Sequence, residues 1–191
     1  MVVYAYMRYF IGFLVTVGLI IILILLLFGG GDKAKLPKST KTLDSYASSN
    51  AEARLTIDGP VNADVIHQQI QINVAQNEVT YKQIRGYEGT VTKTTRYENN
   101  RSAYATFLRA LALAGFTKGS LDAQLKDERG YCPLGSRYIF EFIQGDKKIE
   151  RFWATSCGNP KTYLGSFRLT TQLFEAQVPN FTDVNRDTGL L

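Results

Sequence analysis

Histidine, tryptophan and cysteine are nearly absent from this chain: one His, one Trp and two Cys in 191 residues. A structural zinc site takes four ligands from Cys and His, often in close pairs, so this inventory excludes one. Cys132 and Cys157 are too far apart in sequence for a C-x-x-C redox pair. His67, in VIHQQIQI, stands at the entry to a strand with no nucleophile pattern nearby, and reads as a surface or satisfied residue. Also missing are the G-x-S-x-G elbow, the P-loop and the G-x-G-x-x-G turn, and Ser136 in PLGSRY is a turn signal. Carboxylates give no better lead. Asp122, Asp127 and Glu128 are interleaved with Lys126 and Arg129 in what reads as solvated surface. Glu141 and Glu150 are expected to face each other across a hairpin beside Lys148 and Arg151, an ordinary cross-strand charge set. No residue receives a catalytic, cofactor-binding or metal-binding role, and no enzyme activity is expected.

Positive charge is present but badly placed for nucleic acid. The net charge is +5, yet Arg8, Lys33, Lys35, Lys38 and Lys41 precede residue 45, against Asp32 and Asp44. The remainder holds 17 basic residues against 15 acidic ones, and no stripe dense enough to track phosphates. Nucleic acid is therefore not an expected partner.

What the N-terminus does have is a long apolar run. From Tyr9 to Phe28, YFIGFLVTVGLIIILILLLF carries no charge. At 1.5 Å per residue it is about 30 Å long, the thickness of a hydrocarbon core, so it reads as a transmembrane anchor in the bilayer. A cleaved signal peptide is the competing reading, but the apolar part exceeds a signal h-region and GGGDKAK offers no convincing cleavage site. Tyr4, Tyr6 and Tyr9 suit the headgroup level. The lysines at 33–41 would by themselves hold the following domain in the cytoplasm, a vote that long domains often override.

Topology then falls to the cysteines. YIFEFI (138–143) and IERFWATS (149–156) read as two strands around the turn QGDKK. Cys132 precedes the first and Cys157 follows the second, so the hairpin brings them together. A disulfide is expected, and with it an extracytoplasmic location; two buried free thiols in a cytoplasmic domain are the alternative.

The rest of the chain reads as an α+β domain: a transmembrane helix followed by an antiparallel sheet of about five to seven strands, packed with one long and one short helix. Residues 1–31 form the anchor, 32–52 a flexible basic linker, 53–178 the domain and 179–191 a loosely ordered tail. ARLTID (53–58), IQINV (70–74), EVTYKQIRG (78–86) and TVTKTTRYE (90–98) are the first strands, the last of them exposed or at an edge. Tyr104, Phe107, Leu108, Leu111 and Ala114 recur at helical spacing, with Asn99 or Asn100 as N-cap and Gly115 at the stop. The short helix lies in RLTTQLFEAQ, before Pro179.

Aromatic residues mark the candidate contact surface. Tyr81, Tyr87 and Tyr97 lie on or beside polar strands and are the possible contact aromatics, while Trp153, next to the cysteines, reads as core. GFLVTVGLIIILILLLF resembles the start of type IV pilins, but Val17 stands where that family carries a glutamate, and Gly29 to Gly31 break the helix. HQQIQINVAQNEVTYKQIRGYEGTV, YATFLRALALAGF and the CPLGSRYIFEF to FWATSCG hairpin together resemble small single-span envelope proteins of reduced-genome bacteria such as Saccharibacteria, over most of residues 55–175. That resemblance implies a bacterial envelope protein and no activity. The expectation is a membrane-anchored, extracytoplasmic domain that binds a protein or cell-surface partner; an envelope assembly subunit and a carboxylate hydrolase are the alternatives.

Overall fold

The computed structural model describes residues 42–190 and a helical stretch at 16–18. The anchor assigned to 9–28 and most of the linker lie outside the described residues. Among the described residues no helix is long and apolar enough to cross a membrane. The chain divides into units 1–34 and 35–191, and the fold below belongs to the second.

Six strands form one antiparallel sheet: β1 (Ala51–Asp58), β2 (Gln68–Ala75), β3 (Glu78–Arg85), β4 (Thr90–Glu98), β5 (Arg137–Gln144) and β6 (Lys147–Thr155). Their order is β4-β3-β2-β1-β5-β6. The fold class is α+β, as the alternating patterns indicate. β1 shows period 2 most cleanly: Ala51, Ala53, Leu55 and Ile57 are buried, while Glu52, Arg54, Thr56 and Asp58 face the other side. Opposite them, β2 contributes Ile70, Ile72 and Val74 to the core face and β5 contributes Phe140 and Phe142.

Three helices cover that face: α1 (Arg101–Leu113), α2 (Phe167–Glu175) and α3 (Phe181–Asn185). α1 starts where a cap is available, since Asn100 Oδ1 accepts from the Ala103 N–H at 3.0 Å. It stops at Gly115, whose φ of +79° suits a residue without Cβ. Tyr104, Phe107, Leu108 and Leu111 are its buried stripe. Phe107 meets Phe174 of α2 edge to face at 5.3 Å, so both helices share one core with the sheet.

Both ends of the domain differ from the sequence expectation. The linker does not run to residue 52: Leu43 and Ala47 are buried, Tyr46 packs edge-on against Phe142 at 5.2 Å, and the Tyr104 hydroxyl donates to Ala51 O at 2.7 Å. Small residues that read as spacer fill space beneath α1. The C-terminal segment is not a loose tail either. It forms α3 and a 3₁₀ turn, and Asn185 Oδ1 accepts from the Tyr81 hydroxyl at 3.2 Å and from Thr188 Oγ1 at 2.7 Å. Phe181, Val184 and Leu190 pack against the core, and Asn185 gives buried hydroxyls their partner. The chain thus enters β1 at Ala51, whereas Leu190 reaches Gly59, just past the other end of that strand.

The opposite face of the sheet is polar over β1 and β2, carries the Ile84–Val91 pair on β3 and β4, and is apolar again beneath segment 120–131. There Trp153 is buried, its Nε1–H donates to Leu125 O at 2.8 Å, and Tyr131 stacks on it at 5.4 Å. Trp153 is core, in a second cluster outside the main one.

Candidate functional site

Cys132 and Cys157 lie at disulfide distance, with Sγ–Sγ 1.98 Å and Cα–Cα 5.8 Å. The hairpin β5–β6 accounts for it: Arg137 pairs with Thr155, which sets the flanking segments side by side. Gly135 sits against the pair so closely that a Cβ there would meet Cys132 Sγ at 2.6 Å and Ser156 Oγ at 2.3 Å.

The three contact tyrosines separate. Tyr81 is fully buried on the core face of β3, paired with Ile72, so it is corrected from contact residue to core. Its sequence neighbours Thr80 and Lys82 made the strand look polar, but in a strand their side chains belong to the other face. Burial raises the Tyr81 hydroxyl above the ordinary phenol value, against a partial offset from Gln83. Tyr97 is half-buried against the core. Only Tyr87 is broadly exposed, at 51%.

Tyr87 leads to a cluster that the sequence did not reveal. Its ring lies flat on His67, with centroids 4.1 Å apart and planes 16° apart. His67 has no exposed surface. Its Nδ1 is 3.1 Å from Pro60 O and its Nε2 is 2.9 Å from Asp58 Oδ1. The other Asp58 oxygen takes Arg137 Nη2 at 2.6 Å, and the same nitrogen donates to Gly59 O at 2.8 Å. With both ring nitrogens turned to protein oxygens and the ring fully covered, His67 is out of reach of a substrate. The group is a pin that fixes the loop between β1 and β2 to the start of β5. No local signal pointed to it, because Asp58 and Arg137 meet only through the β1–β5 register.

Acids on the polar face are tied to bases rather than to each other. Glu141 is nearly buried and is approached by Lys148 Nζ at 2.7 Å, Arg151 Nε at 3.6 Å and Arg54 Nη1 at 3.7 Å. Arg151 Nη2 also grips both oxygens of Glu128 at 2.7 and 2.8 Å. The expected apposition of Glu141 and Glu150 is not found: Glu141 pairs with Arg151 and Glu150 with Phe142, which places the two acids on opposite faces. Glu128 is also not free surface, since it turns in to Arg151. Asp127 stays exposed, held at about 2 chiefly by the hydrogen bond from the Arg129 side chain. Among the described residues no group of three or more His, Cys, Asp or Glu could hold a metal ion.

One surface stands out from this polar background. Where β1, β3 and β6 end and β2, β4 and β5 begin, the loops expose Val61, Val65, Ile66, Tyr87 and Leu134, from 51% for Val61 to 89% for Leu134. These loops are tied together. Val61 N–H donates to Pro133 O at 2.7 Å, Tyr87 N–H to Asp64 Oδ1 at 2.6 Å, and the Tyr87 hydroxyl to Asn62 O at 2.9 Å. The disulfide and the His67 pin lie directly behind them. Apolar side chains held out to water on a braced frame make this the candidate contact surface.

No protein-family model matches the chain, and no curated protein is similar to it.

Proposed function

We propose that this protein is a single-pass, N-terminally anchored envelope protein whose disulfide-stapled domain stands outside the cytoplasm and works by binding a protein or cell-surface partner. The observation that carries the reading is the exposed apolar loop end, Val61, Val65, Ile66, Tyr87 and Leu134. It lies across the sheet from the point where the chain enters β1, about 26 Å away for eight residues of strand. Together with the uncharged run at 9–28, an exposed apolar loop end suits an anchored domain that works by contact. The close pairing of Cys132 with Cys157 supports an oxidising compartment. Binding is favoured over carboxylate hydrolysis because Glu128 and Glu141, which line one cleft, both converge on Arg151 rather than on each other.

The test is a photo-reactive phenylalanine analogue at position 66 in intact cells, with an impermeant maleimide applied before and after an impermeant reductant. Discrete adducts at position 66 that are absent when the analogue is placed at Thr106 on the helical side, and thiols that label only after reduction, are the expected result. Thiols that react only after lysis and without reductant overturn the location. No adduct at position 66 overturns the contact surface.

A further inference from the structure

We propose that the outer edge of β4 takes up an extended, acidic peptide as a seventh strand of the sheet. The two edges of the sheet are finished differently. β6 is covered by its own chain at its C-terminal end: the N–H groups of Thr162 and Tyr163 both donate to Trp153 O at 2.9 Å, Thr162 Oγ1 accepts from Trp153 N–H at 2.8 Å, and Thr155 bridges Gly158. β4 has β3 on one side, and among the described residues no other segment bonds its backbone from Thr90 to Glu98. That leaves a nine-residue strand with its outer row of N–H and C=O groups open to solvent.

The side chains of this edge suit strand pairing. β4 contains no Pro or Gly, and Thr90, Val91, Thr92, Thr94 and Thr95 are β-branched. Groups arrayed along an open strand are met by one kind of occupant, another extended backbone.

Charge selects which backbone. Lys82 and Arg85 on β3 and Lys93 on β4 have no ion-pair partner among the described residues, and Arg96 has only Glu78 at 3.8 Å. The nearby acids are Glu78 and Glu98, opposite each other at one end, and Glu88 in the turn. A second copy fits poorly. In a two-fold antiparallel pair centred on Lys93 or Arg96, that residue faces itself. Centred on Thr92 or Thr94, Lys93 lies diagonal to its own copy, and centred on Thr95, Arg96 does so. Every register that pairs the middle of the strand thus sets like charges together, which is unfavourable. A strand bearing Glu or Asp at those places meets opposite charges instead.

The experiment uses the full chain in detergent and a fluorescent nine-residue peptide, Glu-Val-Thr-Glu-Val-Thr-Glu-Val-Thr, whose glutamates are three apart as Lys93 and Arg96 are, with a version carrying Lys for Glu and a version N-methylated on alternate amides. The acidic peptide is expected to bind at least about tenfold tighter than the lysine one, to weaken as salt is raised, and to slow amide hydrogen exchange across 90–98. Lys93→Glu combined with Arg96→Glu, both at exposed positions, reverses the preference. Equal binding of both peptides, undiminished binding of the N-methylated one, slowed exchange only elsewhere, or protection of 90–98 by self-association without peptide would each overturn the proposal.

Discussion

Glu150 shows how one side chain can set a pH response. It belongs to the core face of β6, where burial raises its carboxyl above the ordinary glutamate value and, among the described residues, no cation pairs with it. The folded state therefore holds this proton more tightly than the unfolded chain. Its contribution is fully present below the ordinary value and is lost as pH rises through the raised one. Glu150→Gln should consequently raise the melting temperature at neutral pH and leave it nearly unchanged well below the carboxylate range; melts at the two pH values check this. A gain of equal size at both would deny that ionisation is the cause. Glu141, one strand over on the other face, is the contrast: its three basic neighbours make it the hub of a network, and its removal would leave Lys148 without a partner while Arg151 keeps Glu128 and Arg54 keeps Glu52. A reader of the sequence sees two glutamates in the same hairpin. The one-residue bulge that shifts the register between Phe142 and Ile143 is not visible there.

Among the elements, those with a strong period were legible and those without one were not. α1 announces itself by apolar residues at helical spacing between Asn100 and Gly115, and the hairpin by its alternation around QGDKK. Asn100→Ala should cost about 1 kcal/mol, because the Ala103 N–H loses its acceptor at the helix start; chemical denaturation measures it, and Asn100→Asp or Asn100→Ser should restore most of the loss. Segments 43–50 and 180–190 carry little periodic apolar signal, yet they are part of the domain through single buried residues and hydrogen bonds, such as Leu43 and Asn185. The pairing of Tyr81 with Asn185 joins positions 104 residues apart, and the Asp58–Arg137 pair joins positions in non-consecutive strands. Such partners are fixed by sheet order, which local pattern does not encode. For the same reason Tyr87 could be singled out from sequence as an exposed aromatic, but the frame that presents it, His67 with Asp58 and Arg137, could not.

At the scale of the whole molecule, a single covalent link braces a sheet whose other end needs none. Cys132 and Cys157 are separated by 25 residues, and closing a loop of that size stabilises a fold by about 3 kcal/mol in the chain-entropy account. Cys132→Ser with Cys157→Ser should lower stability by about that amount in denaturant titrations. Hydrogen exchange should quicken first at residues 131–136 and 156–163, while β1, β2 and α1 keep their protection. Uniform loss across the sheet would instead mean that the link supports the main core. The placement of the two ends of the domain matters for practice as well. The chain enters at the Ala51 end of β1, whereas Leu190 rests on Gly59 at the other, beside the exposed Val61. A reporter protein joined after residue 191 would emerge next to the apolar loops and shade them, so a partner screen with such a fusion would return silence from a surface that was merely hidden.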